Sequence, residues 1–218
     1  MIYHLIILAG DREDIIFIIG IVGKIGAGKT TVASGLEKLL PNSRVIDVDG
    51  LAKGLYESKP ELLKDIRRDL GEEVFNNGQL DLKALALEVF GSKAQLTKLN
   101  RIMFPAIRRE VKEQVDASQD LDYLIIDAAI LFSCKLNLLC HYVVWVKSPP
   151  RYRKKFLISL GMPEEEAQLK IKGQKIRIDR SLVDFTLENT RSEKRLWSGI
   201  ENLAQDIILR SSSHGSQV

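Results

Sequence analysis

Cysteine, histidine and aromatic residues are all scarce in this chain of 218 residues, and each shortage closes off a class of chemistry. The two cysteines, Cys134 and Cys140, form no C-x-x-C pair and have no companion histidines. That excludes a zinc site or a disulfide framework and points to a reducing, cytoplasmic setting. His4, His141 and His214 fall in no motif, so packing roles suffice and no histidine chemistry is expected. Aromatic residues make up 6% of the chain, and its basic stretches lack the interleaved aromatic platforms on which single-stranded nucleic acids stack. The formal charge of +3 is also too small to imply general affinity for nucleic acid, so no nucleic-acid partner is expected. Nor does any apolar run reach the roughly 20 residues of a spanning helix. Leu5 to Leu8 and Ile15 to Ile19 are separated by Asp11, Arg12, Glu13 and Asp14, which argues against a signal peptide or membrane segment. Residues 1–13 therefore read as an N-terminal extension, and no membrane partner is expected.

With 45% hydrophobic and 28% charged residues, the chain can build one sizeable core with appended lobes. Apolar, β-branched runs at Ile15 to Val22, Val45 to Val48, Leu124 to Ile126 and Val143 to Val146 predict buried parallel strands. Helical patterns fall at Thr30 to Leu40, Lys59 to Leu70, Leu82 to Phe90, Lys93 to Val115, Arg151 to Leu160, Glu164 to Arg177 and Ser192 to Leu209. This alternation is that of an α/β fold with helices covering a parallel sheet. It predicts a single domain over 14–210, with a helical substrate lobe at about 50–118 and a lid at about 149–180 punctuated by Pro149, Pro150 and Pro163. The serine-rich tail, 211–218, reads as disordered.

Directly after the first run, residues 23–30 spell G-x-x-x-x-G-K-T. Glycines there let backbone N–H groups turn inward around phosphates, while a lysine reaches the β and γ oxygens and a hydroxyl ligates Mg²⁺. Gly26, Ala27, Gly28, Lys29, Thr30 and Thr31 are thus the expected nucleotide-binding residues, Thr30 the expected metal ligand, and a nucleoside triphosphate with Mg²⁺ the expected ligand, a signature that GTPases, ATPases and small-molecule kinases share. The helix that starts at Thr30 favours anions through its dipole.

Asp47 and Asp49 follow the second strand at a spacing that places both carboxylates on one side of its C-terminal end, where open α/β sheets bind ligands. From spacing alone, Asp49 either caps the next helix or accepts a proton in phosphoryl transfer. Asp127 ends the third strand and is a candidate for ordering magnesium or simply a polar strand-end residue facing solvent. In the lid, Lys170, Gln174 and Arg177 have the spacing of one helical face, from which cations can close over phosphates.

These segments, in this order, resemble the dephospho-CoA kinase family. The likeness runs from about Ile15 to Leu209 and comprises the loop at 23–31, Asp47-Val48-Asp49, Asn77 to Asp81, Val89-Phe90, Pro105 to Ile107, Ala129 to Phe132, Gly161 to Ala167, Gln174 and Asp184 to Asn189. It implies a P-loop kinase with a five-stranded parallel sheet, a helical substrate lobe and a mobile lid. The reaction it implies is transfer of phosphate from ATP to the ribose 3′-hydroxyl of dephospho-CoA. It further implies that Asp49 is general base with Lys29 as catalytic partner, that Asn189 lies near the adenine, and that Asp47, Leu131 and Phe132 face dephospho-CoA. Ser133, Phe104, Ser159 and Leu82 depart from a pattern that commonly shows Glu, His, Arg and Arg there. The same cradle also serves kinases of other nucleosides, nucleotides or small metabolites, and a nucleotide-binding module with weak transfer.

Overall fold

The structure is a computed structural model and describes residues 16–174, 176–190 and 192–214. In chain order the elements are β1 (Phe17–Val22), α1 (Lys29–Leu39), β2 (Ser43–Asp47), α2 (Val48–Ser58), α3 (Pro60–Leu70), β3 (Phe75–Asn76), β4 (Gln79–Leu80), α4 (Leu82–Gly91) and α5 (Lys93–Asp116). They continue with β5 (Tyr123–Asp127), β6 (Tyr142–Lys147), α6 (Pro150–Ser159), α7 (Glu164–Gly173), β7 (Phe185–Glu188) and α8 (Glu193–His214).

Strands β1, β5 and β6 are nearly continuous β-branched and aromatic runs, and almost every residue in them is buried. Such strands belong in the middle of a parallel sheet covered on both faces. The sheet order is β2-β5-β1-β6-β7, all parallel, with the half-exposed β2 and β7 at its edges. Alternation along the strands separates two cores. Ile18, Val22, Ile46, Leu124, Ile126 and Val143 pack with residues of α2 to α5, whereas Ile19, Ile21, Ile125, Val144 and Val146 pack with α1 and α8. The β3–β4 hairpin lies between α3 and α4 in the helical lobe, turning through Asn77 and Gly78 at positive φ.

The structure departs from the sequence-based expectations in four places. Helix α2 has no apolar signature because Gly50 and Gly54 interrupt it; it forms because Asp47 caps it and Val48 and Leu55 are buried. Strand β7 is a four-residue edge, too short to show a period. Helix α7 stops at Gly173 and Gln174 is extended, so Lys170, Gln174 and Arg177 do not share a helical face. The chain from Ser211 to His214, expected to be disordered, continues α8. Ser211 is buried, its hydroxyl 2.7 Å from that of Tyr123, and Ser212 and Ser213 hydroxyls bond back to carbonyls four residues earlier. The expected extension, residues 1–13, lies outside the described residues.

Candidate active site

The loop between β1 and α1 is shaped by two glycines with positive φ, Gly26 at 70° and Gly28 at 91°. A Cβ at Gly26 would lie 2.9 Å from the carbonyl oxygen of Arg153, and one at Gly28 would lie 2.6 Å from Asn189 Nδ2. Neither position admits a side chain, so backbone alone faces the cleft. Gly28 caps α1 without a side-chain hydrogen bond, which leaves the N–H groups of the first turn directed outward as an anion cradle. Ala27 is buried within the loop, Lys29 is half-buried, and Thr30 and Thr31 are exposed at the helix start.

Two further elements brace this loop. Asn189 Nδ2 donates to Ala27 O at 2.9 Å, and Asn189 N donates to Lys147 O at 2.8 Å. At the other end of the same strand, the Asp184 carboxylate accepts from Val143 N at 2.7 Å. Asp184 and Asn189 therefore flank the four residues of β7, which is pinned to β6 at its start and to the phosphate loop at its end. From the segment after β6, Gln174 Oε1 accepts from Ile25 N at 2.6 Å and Arg153 Nη1 donates to Ile25 O at 3.3 Å.

Asp47 and Asp127 are direct partners in the β2–β5 register, so they emerge side by side at the C-terminal edge. Asp47 is the N-cap of α2: its Oδ1 accepts from Asp49 N at 3.1 Å. Asp49 thus sits in the first helical turn, presented by α2 and not by strand alternation, and capping falls to its neighbour. Its carboxylate opens to solvent at the cleft, yet the surrounding protein strips enough hydration to hold its pKa above the usual carboxylate value. Lys29 and Lys53 pull that pKa down, while Asp47 pushes it up.

Asp127 is 5% exposed, and its Oδ2 accepts from Thr30 Oγ1 at 2.7 Å. Burial raises its pKa, against the Thr30 hydrogen bond and the charge of Lys29. Its Oδ1 is buried without a partner. That orphaned oxygen, beside a threonine hydroxyl with free lone pairs, fits a divalent cation. Among the described residues no three acidic or histidine side chains converge to cage one, which suits Mg²⁺, an ion that keeps most of its waters.

Phe132, Ser133, Arg177, Ile178 and Asp179 line a cavity of about 610 Å³. Leu131, expected to touch substrate, is instead fully buried against Gly20 in the core. It supports the loop from beneath while Phe132 faces the cavity. The contribution of 177–179 carries no local signal in the sequence, because a long-range return of the chain creates it. Lys53 was legible in principle, one helical turn from Asp49.

The remaining reactive side chains are structural. His141 Nδ1 accepts from Ile18 N at 2.9 Å, and burial pushes the thiols of Cys134 and Cys140 up to about 11 and about 12. Both remain protonated at neutral pH.

The chain is similar to known proteins in sequence and in fold. The dephospho-CoA kinase family matches residues 17–194. The dephospho-CoA kinase of Corynebacterium diphtheriae is 31% identical over 198 residues, covering 88% of this chain and 96% of the relative. That of Idiomarina loihiensis is 30% identical over 192 residues, covering 87% and 94%. Among solved structures, TT1252 from Thermus thermophilus has a TM-score of 0.70 at 28% identity over 88% of this chain and 98% of its own. The dephospho-CoA kinase from Campylobacter jejuni, at 21% identity and a TM-score of 0.59 over 87% and 96%, shows the same fold. The chain belongs to the dephospho-CoA kinase family.

Proposed function

We propose that the protein transfers the γ-phosphoryl group of ATP to the ribose 3′-hydroxyl of dephospho-CoA, giving coenzyme A and ADP, with Asp49 as general base. The observation that carries the base assignment is the division of labour at 47–49. Asp47 holds the helix, which leaves the Asp49 carboxylate free in the cleft, between Lys29 and the acceptor side. Asp49 accepts the hydroxyl proton, the ribose oxygen attacks the γ-phosphorus, and the bond to the β–γ bridging oxygen breaks as ADP departs.

The N–H groups from Gly26 to Thr31 hold the phosphates, and Lys29 neutralises charge that grows on the β and γ oxygens. Thr30 Oγ1 and Asp127 would hold Mg²⁺, which would supply further charge neutralisation. Asn189 bounds the nucleotide on the adenine side while bracing Ala27. Dephospho-CoA enters past Asp47 and the cavity of Phe132. Lid closure by α6 and α7 excludes water and so limits futile hydrolysis of ATP. No described helix is long and apolar enough to cross a membrane, and free thiols at the buried Cys134 and the half-buried Cys140 suit a reducing cytoplasm.

Asp49→Asn tests the base assignment. The expected result is a fall in kcat of roughly 10²- to 10⁴-fold with ATP affinity retained. Turnover close to that of the unmodified enzyme removes Asp49 from the role.

A further inference from the structure

Helix α6 lies directly against the phosphate loop, with Arg153 and Leu157 one turn apart on the contacting face. Arg153 is 3% exposed, yet among the described residues no carboxylate pairs with it. Its Nε is buried with no acceptor, and its Nη1 bond to Ile25 O, at 3.3 Å, is near the long limit for such contacts. Neighbouring cations are served differently. Lys154 pairs with Glu164 at 2.7 Å, Lys170 with Glu166 at 2.8 Å and Lys147 with Glu188 at 2.9 Å. Of these cations, the most buried is the one left without a counter-charge.

A buried, unpaired guanidinium is heavily destabilising, and an anion reaching it would relieve that cost. Burial accordingly depresses the pKa of Arg153. The group borders a cavity of about 150 Å³ shared with Lys24, Trp145 and Lys147, on the flank of the loop's leading residues. Lys24 is exposed and likewise forms no ion pair among the described residues. The anion that this loop itself brings within reach is a nucleoside triphosphate. Amides from Gly26 to the start of α1 enclose its inner phosphates, so the terminal phosphate is the group left for a cation on the leading flank.

We propose that Arg153 is a phosphate-contacting residue whose guanidinium turns from Ile25 O to the terminal phosphate of bound ATP, so that α6 senses whether a γ-phosphate is present. The planar fork of arginine suits two phosphate oxygens at once, which a lysine cannot match. This inference rests on the kinase reading only in taking ATP as the nucleotide.

The test is equilibrium binding of a non-hydrolysable ATP analogue and of ADP, each with Mg²⁺, to the unmodified protein, Arg153→Met and Arg153→Lys, with the melting temperature of each recorded. In Arg153→Met the analogue is expected to bind about 10- to 100-fold more weakly while ADP affinity holds, with Arg153→Lys intermediate. Equal weakening for both ligands, or none for either, overturns the inference and leaves Arg153 a brace for Ile25. If Arg153→Met does not fold, Arg153→Lys decides alone: a selective loss for the analogue supports the contact, and the absence of one refutes it. No acceptor is present in these experiments, so a protein that failed to phosphorylate dephospho-CoA would still give a clear answer about Arg153.

Discussion

Asp47 and Asp49 show how two identical side chains two residues apart acquire different chemistry from their backbone positions. At Asp47 the chain is still extended, with φ −81° and ψ 100°, which lets the carboxylate fold back onto the N–H of Asp49. Asp49 is already helical and projects into the cleft. The pair was legible in the sequence, but which residue caps and which stays free was not, because the last strand residue and the first helical one cannot be told apart by spacing. A pH prediction belongs to this scale. A base must be ionised to act, so activity falls as pH drops through its pKa, and burial places that acid limb above the usual aspartate value. Asp47→Asn keeps the cap but removes a charge that raises the Asp49 pKa, so the acid limb of kcat against pH should move to lower pH. Lys53→Met removes a charge that lowers it and should move the limb the opposite way. Two shifts of the same sign, or none, would detach Asp49 from the titration.

The phosphate loop is an element whose geometry follows from its glycines, and most of it was readable. Its position after a buried strand and before a helix follows from period and motif, and β1, β5 and β6 appear within two residues of where their apolar runs predicted them. Short or interrupted elements were opaque for physical reasons: α2 depends on a cap and tertiary packing, β7 on pairing with β6, and the end of α7 on a bond from Gln174 to a loop distant in sequence. Gly28→Ala tests the loop as a unit. The new methyl would meet Asn189 Nδ2 at 2.6 Å on a residue held at φ 91°, so nucleotide affinity is expected to be lost while the sheet stays folded. Isothermal titration with ATP and the far-ultraviolet circular dichroism spectrum read the two halves of that prediction. Asp184→Ala should do the reverse. Removing the acceptor of Val143 N is expected to cost about 1–3 kcal/mol in urea unfolding while nucleotide affinity is largely kept.

At the scale of the molecule, the sheet order brings together residues that the sequence keeps far apart. Placing β5 between β2 and β1 puts Asp127 beside Asp47 and within hydrogen-bonding distance of Thr30, 97 positions earlier. Alternating strands and helices predicted a parallel sheet, but strand order is a property of crossovers and cannot be read from any one segment. Helices α6 and α7 present a similar case. They were foreseeable, whereas the attachment of their segment to both the N–H and the C=O of Ile25, through Gln174 and Arg153, was not. Here the Ile25 amide of the phosphate loop is held by Gln174, from the segment that follows α7. Gln174→Ala should speed amide hydrogen exchange at Ile25 and across α6 and α7 while leaving β1 and β5 protected.

The central claim concerns the acceptor, and product identity tests it most directly. Purified protein with Mg-ATP is supplied with dephospho-CoA, or with adenosine, uridine or shikimate, and the products are identified by mass and by the position of the new phosphate. The expected result is stoichiometric ADP and coenzyme A, phosphorylated on the ribose 3′ oxygen, from dephospho-CoA and from no other acceptor. Phosphorylation of a different acceptor, or ATP binding with no transfer to dephospho-CoA, would contradict it.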